Sequence, residues 1–208
     1  MTSAATDVLI DRIPVGRNLA TDATWVIAFS LITAACAQIG VDLPHLPVPI
    51  TGQTLAVLLS GAVLGWRRGF LSQMAYLAEG AAGLPVFADG AGSALHLAGP
   101  AGGFLLCFPF AAALVGFLVE QGVARSAWRL AGALAAADVL ILLAGSTWMR
   151  FLFHVPLAQA WQWGFYPFLL ADVAKIALVG WSLPRMLRGF KDSRQLPVFS
   201  SQSEPDKP

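Results

Sequence analysis

The sequence predicts an all-α integral membrane protein with six transmembrane helices and both termini in the cytoplasm. Of its 208 residues, 57% are hydrophobic and 12% are charged. A soluble domain carries roughly 25% charged residues, so this composition is typical of a membrane protein. Apolar runs recur along the chain, and lysine and arginine are largely confined to alternate connections between them. These observations together favour six spans.

The elements follow from the breaks between apolar runs. Residues 1–23 form a polar tail whose mixed charges are unlike the basic start of a cleaved signal peptide. Three prolines separate runs one and two, the GWRRG turn separates runs two and three, and glycines separate runs three and four. The predicted spans are about Thr24–Ile39, Gln53–Leu64, Phe70–Leu84, Phe104–Glu120, Leu130–Trp148 and Tyr166–Leu183. They define a transmembrane domain over residues 24–186, followed by a C-terminal tail over residues 187–208.

Several of these spans are shorter than the ~20 residues that cross a bilayer, so a re-entrant hairpin of spans two and three is an alternative. The positive charges favour six spans. Eleven of the thirteen basic residues fall on one side: Arg12, Arg17, Arg67, Arg68, Arg125, Arg129, Arg185, Arg188, Lys191, Arg194 and Lys207. The positive-inside rule makes that side cytoplasmic. Arg150 then lies in an outer loop, and Lys175 lies inside the sixth span.

Asp172 and Lys175 form an opposite-charge pair within the apolar sixth span. A charge at the bilayer centre costs at least ~3 kcal/mol on insertion scales, so such residues face a protein interior or a cavity. Their spacing of three residues places them on one helix face. At 1.5 Å per residue they lie about 9 and 13 Å from the outer end of the span. The pair either neutralises itself within the bundle or forms part of a pocket that opens outward.

The two outer loops without lysine or arginine are the predicted lid of such a pocket. The first contains Thr51, Gln53 and Thr54 beside its prolines, and the second contains Asp89 and His96 among its glycines. Glycines let a backbone approach a ligand closely. Plain connectors are the alternative interpretation, and Thr51 or Gln53 is also suited to capping span two.

Further polar residues near the outer side are weaker candidates for ligand contact. Glu79 ends span three, where a solvated helix-end acid is the alternative. Arg150 suits a carboxylate partner or an interfacial, snorkelling role. Tyr166 suits an aromatic belt or the wall of a ligand site. Asp138 lies in the middle of span five and is a functional candidate because of its depth, with a protonated acid or one bonded to a neighbouring helix as the alternatives.

Several function classes are disfavoured. The net charge of +1 without a basic patch argues against nucleic-acid binding. The three histidines show no metal-ligand spacing. None of the three lysines follows a glycine in a GxxxxGK[ST] loop, so this chain does not hydrolyse ATP by that route. An intramembrane enzyme would need Ser146 near His154, but no GxSxG motif surrounds that serine.

Four ordered motifs resemble the BioY family, the biotin-specific substrate-binding (S) component of energy-coupling factor (ECF) transporters. They are LPVPITGQTLAVLLSGAVLG (Leu46–Gly65), YLAEGAAGLPVFADGAG (Tyr76–Gly92), GPAGGFLLCF (Gly99–Phe108) and an Asp-x-x-Lys pattern at Asp172 and Lys175. The resemblance covers roughly residues 25–186. Ala101 is a departure, because the family usually has threonine there.

The resemblance implies an S component with six helices that captures biotin from outside, in the cytoplasmic membrane of a prokaryote. It implies a transmembrane coupling subunit and two ABC ATPases as partners, and no cofactor on this chain. Small residues of span one would dock to the coupling subunit: Ala28, Ala34, Ala35 and Ala37. Each of them is equally suited to packing within the bundle.

Biotin's chemistry matches the charged pair, and the resemblance places both residues at the ligand. A carboxylate accepts from ureido N–H groups, and a lysine donates to the ureido carbonyl or to the valerate carboxylate. Which end of biotin each residue meets is open. The alternative functions are a carrier driven by an ion gradient, with Asp138 or Glu79 relaying protons, and an S component for another small vitamin.

Overall fold

The protein folds into a helical bundle, as the sequence predicts. The computed structural model describes residues 18–193. Its helices are α1 (Leu19–Ala37), α2 (Gln53–Leu64), α3 (Trp66–Ala81), α4 (Ala94–Leu97), α5 (Gly102–Glu120), α6 (Ala127–Phe153), α7 (Leu157–Gly164) and α8 (Tyr166–Ser193). Two short strands, β1 (Gly40–Val41) and β2 (Ile50–Thr51), pair antiparallel. Two 3-10 turns, Ala88–Gly90 and Val123–Arg125, complete the described elements.

Three helices in this part of the chain are long and apolar enough to cross a membrane: Leu19–Ala37, Gly102–Glu120 and Ala127–Phe153. The number of spans and the side on which the termini lie stay predictions. Most residues of the two predicted tails lie outside the described residues. So do four of the basic residues that support the orientation: Arg12, Arg17, Arg194 and Lys207.

The first helix begins earlier than predicted, at Leu19 rather than near Thr24. Asn18 adopts an extended backbone, and its side chain accepts a hydrogen bond from the Thr21 amide at 2.7 Å. Asp22 lies in the first turn, where a negative charge favours the helix N-terminus. The polar residues Asn18 and Asp22, which were predicted to belong to the N-terminal tail, therefore start the helix.

The predicted five-residue turn between spans two and three is wrong, because Gly65 alone reverses the chain. Gly65 has φ 82°, a backbone conformation that favours glycine, and α3 starts at the next residue. The Trp66 amide donates to Glu120 Oε1 at 3.0 Å, which supplies a partner for one of the otherwise unpaired amides at the start of α3.

The segment after span five also differs from the prediction. α6 continues to Phe153 and ends at His154, which has φ 54°. Arg150 therefore lies in the last turn of a helix rather than in a loop. The short helix α7 follows, in a segment predicted to be a connection between spans five and six.

α5 lies at the centre of the bundle, and glycines let its neighbours approach it closely. Its buried residues include Phe108, Ala112 and Val115. A Cβ at Gly61 of α2 would overlap the carbonyl group of Ala112, and a Cβ at Gly116 would overlap the backbone at the start of α3. Close helix approach of this kind is typical of membrane bundles.

α1 packs differently, because polar contacts supply much of its attachment. The Gln73 amide of α3 donates to Thr33 Oγ1 at 3.2 Å and to Ser60 Oγ at 3.1 Å. Ser30 donates to Glu79 Oε1 at 2.8 Å. Large apolar side chains of α1 point outward, including Leu31 with 54% of its surface exposed.

Candidate functional site

The loops after α1 and α3 meet at one end of the bundle. Gln38, which follows α1, donates to the Phe87 carbonyl at 2.9 Å, and its side-chain oxygen accepts from the Gly90 amide at 3.1 Å. The Gln38 side chain thus joins the C-terminal end of α1, which precedes the β1–β2 hairpin, to the 3-10 turn after α3. The arrangement brings together the two loops predicted to cover a pocket.

A cavity of about 170 Å³ lies between these loops. Its lining consists of Pro47, Val48, Pro49, Thr51, Gln53, Phe87, Ala88, Asp89, His96, Pro100, Ala101 and Leu105. The predicted candidates Thr51, Gln53 and Asp89 therefore share one cavity. His96 supplies a basic side chain there, and its ring stacks on Phe87 with centroids 5.1 Å apart.

Asp89 is exposed and has φ 57°, in the left-handed region. Aspartate tolerates this conformation better than most residues other than glycine. The local backbone therefore explains an aspartate at this position without a ligand. Its place in the cavity lining is the observation that favours contact.

The charged pair of α8 is buried and extensively hydrogen-bonded. Lys175 Nζ lies 2.6 Å from Asp172 Oδ1, 2.8 Å from Thr54 Oγ1 and 2.7 Å from the Thr51 carbonyl oxygen. The Thr54 hydroxyl in turn donates to Asp172 Oδ1 at 2.8 Å. Asp172 is 1% exposed, whereas the Lys175 side chain is 17% exposed. The pair thus joins α8 to the start of α2.

A second polar chain lies beside the first on α2 and α3. Gln53 Nε2 donates to the Tyr76 hydroxyl at 2.6 Å, and that hydroxyl donates to the Val86 carbonyl at 3.1 Å. The Thr51 hydroxyl donates to Gln53 Oε1 at 3.0 Å. Thr51 therefore contacts both polar chains: its carbonyl oxygen accepts from Lys175, and its hydroxyl donates to Gln53.

The structure brings five of the eight predicted site residues to this end of the bundle: Asp172, Lys175, Thr51, Gln53 and Asp89. The α8 pair does not line the cavity between the loops, but contacts the Thr51–Thr54 segment that borders it. Ligand contact by these residues remains a prediction.

The other three predicted residues lie apart from this group. Glu79 faces α1, where it accepts from Ser30. Arg150 is exposed near the C-terminal end of α6. Tyr166 is 53% exposed and makes ring contacts with Trp161 and Phe165. The positions of Arg150 and Tyr166 fit the alternative interpretations, an interfacial arginine and an aromatic belt. Glu79 fits neither ligand contact nor a solvated helix-end acid, because it is half-buried against α1.

Two residues of the site were not among the predicted ligand contacts. Thr54 connects Asp172 to Lys175, and Tyr76 orients Gln53. The sequence contained one indication for Thr54, because it follows Gln53 directly and lies in the same first turn of α2. Tyr76 carried no comparable signal, because its partner is 23 positions away.

Asp138 of α6 completes the buried charged groups. It is 1% exposed and interacts electrostatically with Asp172 and Lys175. Within residues 18–193, no group of three or more histidine, cysteine, aspartate or glutamate side chains is arranged to hold a metal ion. The site is thus suited to hydrogen bonding and charge pairing.

A larger cavity of about 910 Å³ lies at the opposite end of the bundle, where α1 starts and α2 ends. Its lining is mostly apolar, and an ion pair between Arg68 and Asp22 at 2.8 Å borders it. Its lining includes none of the polar residues that surround the cavity between the loops or the α8 pair. The larger cavity is therefore not the candidate site, despite its size.

The bundle closely matches a solved structure, the S component for biotin from an ECF-type ABC transporter. The TM-score is 0.76 at 23% identity, over 83% of this chain and 95% of that one. The chain therefore has the fold of that S component, and the candidate site lies at one end of the bundle.

Sequence relatives identify the family. The BioY family model matches residues 5–192. A probable biotin transporter BioY of Pyrococcus horikoshii is 37% identical over 158 residues, which cover 76% of this chain and 91% of the relative. The biotin transporter BioY of Thermotoga maritima is 38% identical over 138 residues, 66% of this chain and 80% of the relative. The chain belongs to the BioY family.

Proposed function

We propose that this chain binds biotin and carries it across the cytoplasmic membrane of a prokaryote, as the substrate-binding subunit of an ECF-type transporter. The relatives are named as biotin transporters, and the solved structure of the same fold is a biotin S component. The observation in this chain that carries the proposal is the buried network of Asp172, Lys175 and Thr54 beside the cavity between the loops.

The network offers both kinds of group that biotin needs. A carboxylate oxygen has two lone pairs, and no donor from the described residues contacts Oδ2 of Asp172, so that oxygen can accept from a ureido N–H and from one further donor. Lys175 supplies a cation for the ureido carbonyl or the valerate carboxylate. Such charge-assisted hydrogen bonds are strong in a site shielded from water.

The cavity between the loops is smaller than the ~300–1,000 Å³ typical of ligand sites. Entry of biotin therefore requires the two loops to separate. The contacts that hold them together near the cavity include the two hydrogen bonds of Gln38. Two hydrogen bonds contribute only about 1–3 kcal/mol net, which a binding event can offset.

The partners in the proposal are a transmembrane coupling subunit and two ABC ATPases, with the lipid bilayer around the helices. This chain has no phosphate-binding loop of the GxxxxGK[ST] type, so the proposal assigns ATP hydrolysis to the partner ATPases. It assigns no cofactor and no enzymatic activity to this chain. The outward face of α1 carries Ala28 and Ala35 beside exposed apolar residues. It is the proposed surface for the coupling subunit.

Calorimetric titration of biotin into the purified protein in detergent tests the proposal. We expect Asp172→Asn to weaken binding strongly, because it removes the charge that holds Lys175. Asp42→Asn, which removes the same charge from an exposed position between β1 and β2, is the matched control and keeps wild-type affinity. Wild-type protein that binds no biotin would refute the function, whereas unchanged affinity in Asp172→Asn would refute the site alone.

Uptake measurements test the partners separately. Cells that express this chain without any ECF coupling subunit or ATPase should accumulate no biotin above the background of untransformed cells. Uptake in such cells would favour a carrier driven by an ion gradient.

A further inference from the structure

Asp138 has a buried carboxyl group that no donor from the described residues contacts. Both of its oxygens are fully buried and have no hydrogen-bond partner within residues 18–193, and the same holds for Oδ2 of Asp172. Asp138 lies on α6 and Asp172 on α8, and the two carboxyl groups interact. Three carboxyl oxygens are therefore gathered in one buried region without a donor for any of them.

The neighbouring side chains have no proton left to supply. Lys175 has three N–H groups, and three acceptors already contact Nζ: Asp172, Thr54 and the Thr51 carbonyl. The Thr54 hydroxyl proton goes to Asp172 Oδ1. The donor that this region needs must therefore come from one of the two carboxyl groups.

The charge balance leads to the same conclusion. Two ionised aspartates and one ammonium group would leave a net charge of about −1 in the bundle interior. A buried, unpaired carboxylate is costly enough that such groups usually take up a proton. Two neighbouring carboxyl groups commonly hold one proton between them for this reason. One proton makes the group of three neutral.

Asp172 is the member that stays ionised, because it has the cation. Lys175 and Thr54 both donate to its Oδ1, whereas Asp138 receives no donor at either oxygen. α2 and α7 carry no titratable group, and the charged groups that act on Asp138 are Asp172 and Lys175. The other titratable groups on the elements packed against α6 are Cys107, Glu120, Arg125, Tyr166, Arg185, Arg188, Lys191 and Asp192.

We propose that Asp138 is protonated in the ligand-free protein and donates its carboxyl hydrogen to Oδ2 of Asp172. Asp172 is then held at both oxygens, by Thr54 and Lys175 on one side and by Asp138 on the other. Asp138 acts as a positioning residue, which fixes the plane of the carboxylate that faces the ligand. The protonation does not rest on the proposed function, whereas its effect on biotin affinity does.

Infrared difference spectroscopy of the purified protein tests the protonation directly. The spectrum of wild type minus Asp138→Asn should contain the carbonyl stretch of a protonated carboxylic acid, shifted in deuterium oxide. The corresponding difference for Asp42→Asn should not contain this carbonyl stretch. If Asp138→Asn does not fold, wild-type protein with carbon-13 in its aspartate carboxyl groups shows whether any aspartate is protonated, because the label shifts the band. The absence of an aspartic acid band would overturn the proposal and leave a bridging water as the donor.

Biotin titration tests the positioning role. The amide introduced by Asp138→Asn keeps an N–H donor for Asp172, so this variant should bind biotin within about threefold of wild type, whereas Asp138→Leu should lose about tenfold or more. Equal losses in two folded variants would overturn the positioning role. If wild type binds no biotin, the proposed function fails, and the infrared spectrum still decides the protonation.

Discussion

Replacing Thr54 by valine tests whether the hydroxyl between Asp172 and Lys175 determines biotin affinity. Valine has nearly the same shape as threonine but lacks the hydroxyl, which donates to Asp172 and accepts from Lys175, both at 2.8 Å. Thr54 is 8% exposed, so water does not readily replace it. The substitution therefore removes two charge-assisted contacts with little change in packing.

The expected loss follows from the partners that remain. Lys175 keeps the Thr51 carbonyl and Asp172, and Asp172 keeps Lys175. We therefore expect the loss of about one hydrogen bond to a charged group, worth roughly 1.5–3 kcal/mol. At 1.4 kcal/mol per factor of ten, biotin binds about 10- to 150-fold more weakly.

Calorimetric titration of biotin measures this loss, and Thr33→Val supplies the matched control. Thr33 is a buried threonine of α1 that accepts from Gln73, on another polar contact of the bundle. Its replacement should lower the melting temperature but change biotin affinity by less than about twofold, since distant sites act independently. Equal biotin affinity in folded Thr54→Val and Thr33→Val would refute the reasoning.

Three further outcomes are expected. Lys175→Met should abolish biotin binding and lower the melting temperature, because it leaves a buried carboxylate without its cation, a change that costs about 3–5 kcal/mol. Calorimetry measures the binding and a thermal scan the stability, and a stable variant that binds biotin would contradict the prediction. If His96 contacts the valerate carboxylate, His96→Gln should weaken the binding of biotin about tenfold and leave the binding of biotin amide unchanged. Titration of both ligands checks this, and equal losses of affinity would contradict the contact. Gly61→Ala should destabilise the fold because its Cβ would overlap a carbonyl oxygen of α5, whereas Gly132→Ala, whose Cβ would meet nothing within 4 Å beyond its own helix among the described residues, should not. Melting temperatures of the two variants check this, and equal values would contradict the close packing.

The pattern of apolar runs was sufficient to predict the helical fold, and it failed where single residues control the chain. Span two was predicted as observed, Gln53–Leu64, because prolines and glycines bound it. The starts of α1 and α3 were wrong, since Asn18 caps one and Gly65 alone turns into the other. Hydropathy does not register a cap or a backbone angle.

Predicting the candidate site required two kinds of information. The spacing of Asp172 and Lys175 predicted that they share a helix face, and the structure shows them in direct contact. Their contacts to Thr54 and the Thr51 carbonyl join positions more than 115 residues apart, which no local pattern indicates. Glu79 and Tyr166 were chosen by polarity and predicted depth, and both lie apart from the group.

The bundle contains two buried polar regions, and their charged groups separate a structural role from a functional one. Between α1, α2 and α3, Gln73 joins Thr33 and Ser60, and Ser30 donates to Glu79, so one acid lies there among neutral groups that hold the helices together. Among the described residues, Glu79 Oε2 also lacks a donor, so that feature alone does not mark a ligand site. Between α2, α6 and α8, the polar region contains Asp138, Asp172 and Lys175, with carboxyl oxygens that lack donors. An arrangement selected for stability alone would not gather two acids around one cation, because apolar residues of similar size are often at least as stable there. With the proposed proton on Asp138, the carboxyl oxygens still have lone pairs that a ligand with two N–H donors would use, and biotin's ureido ring has that chemistry.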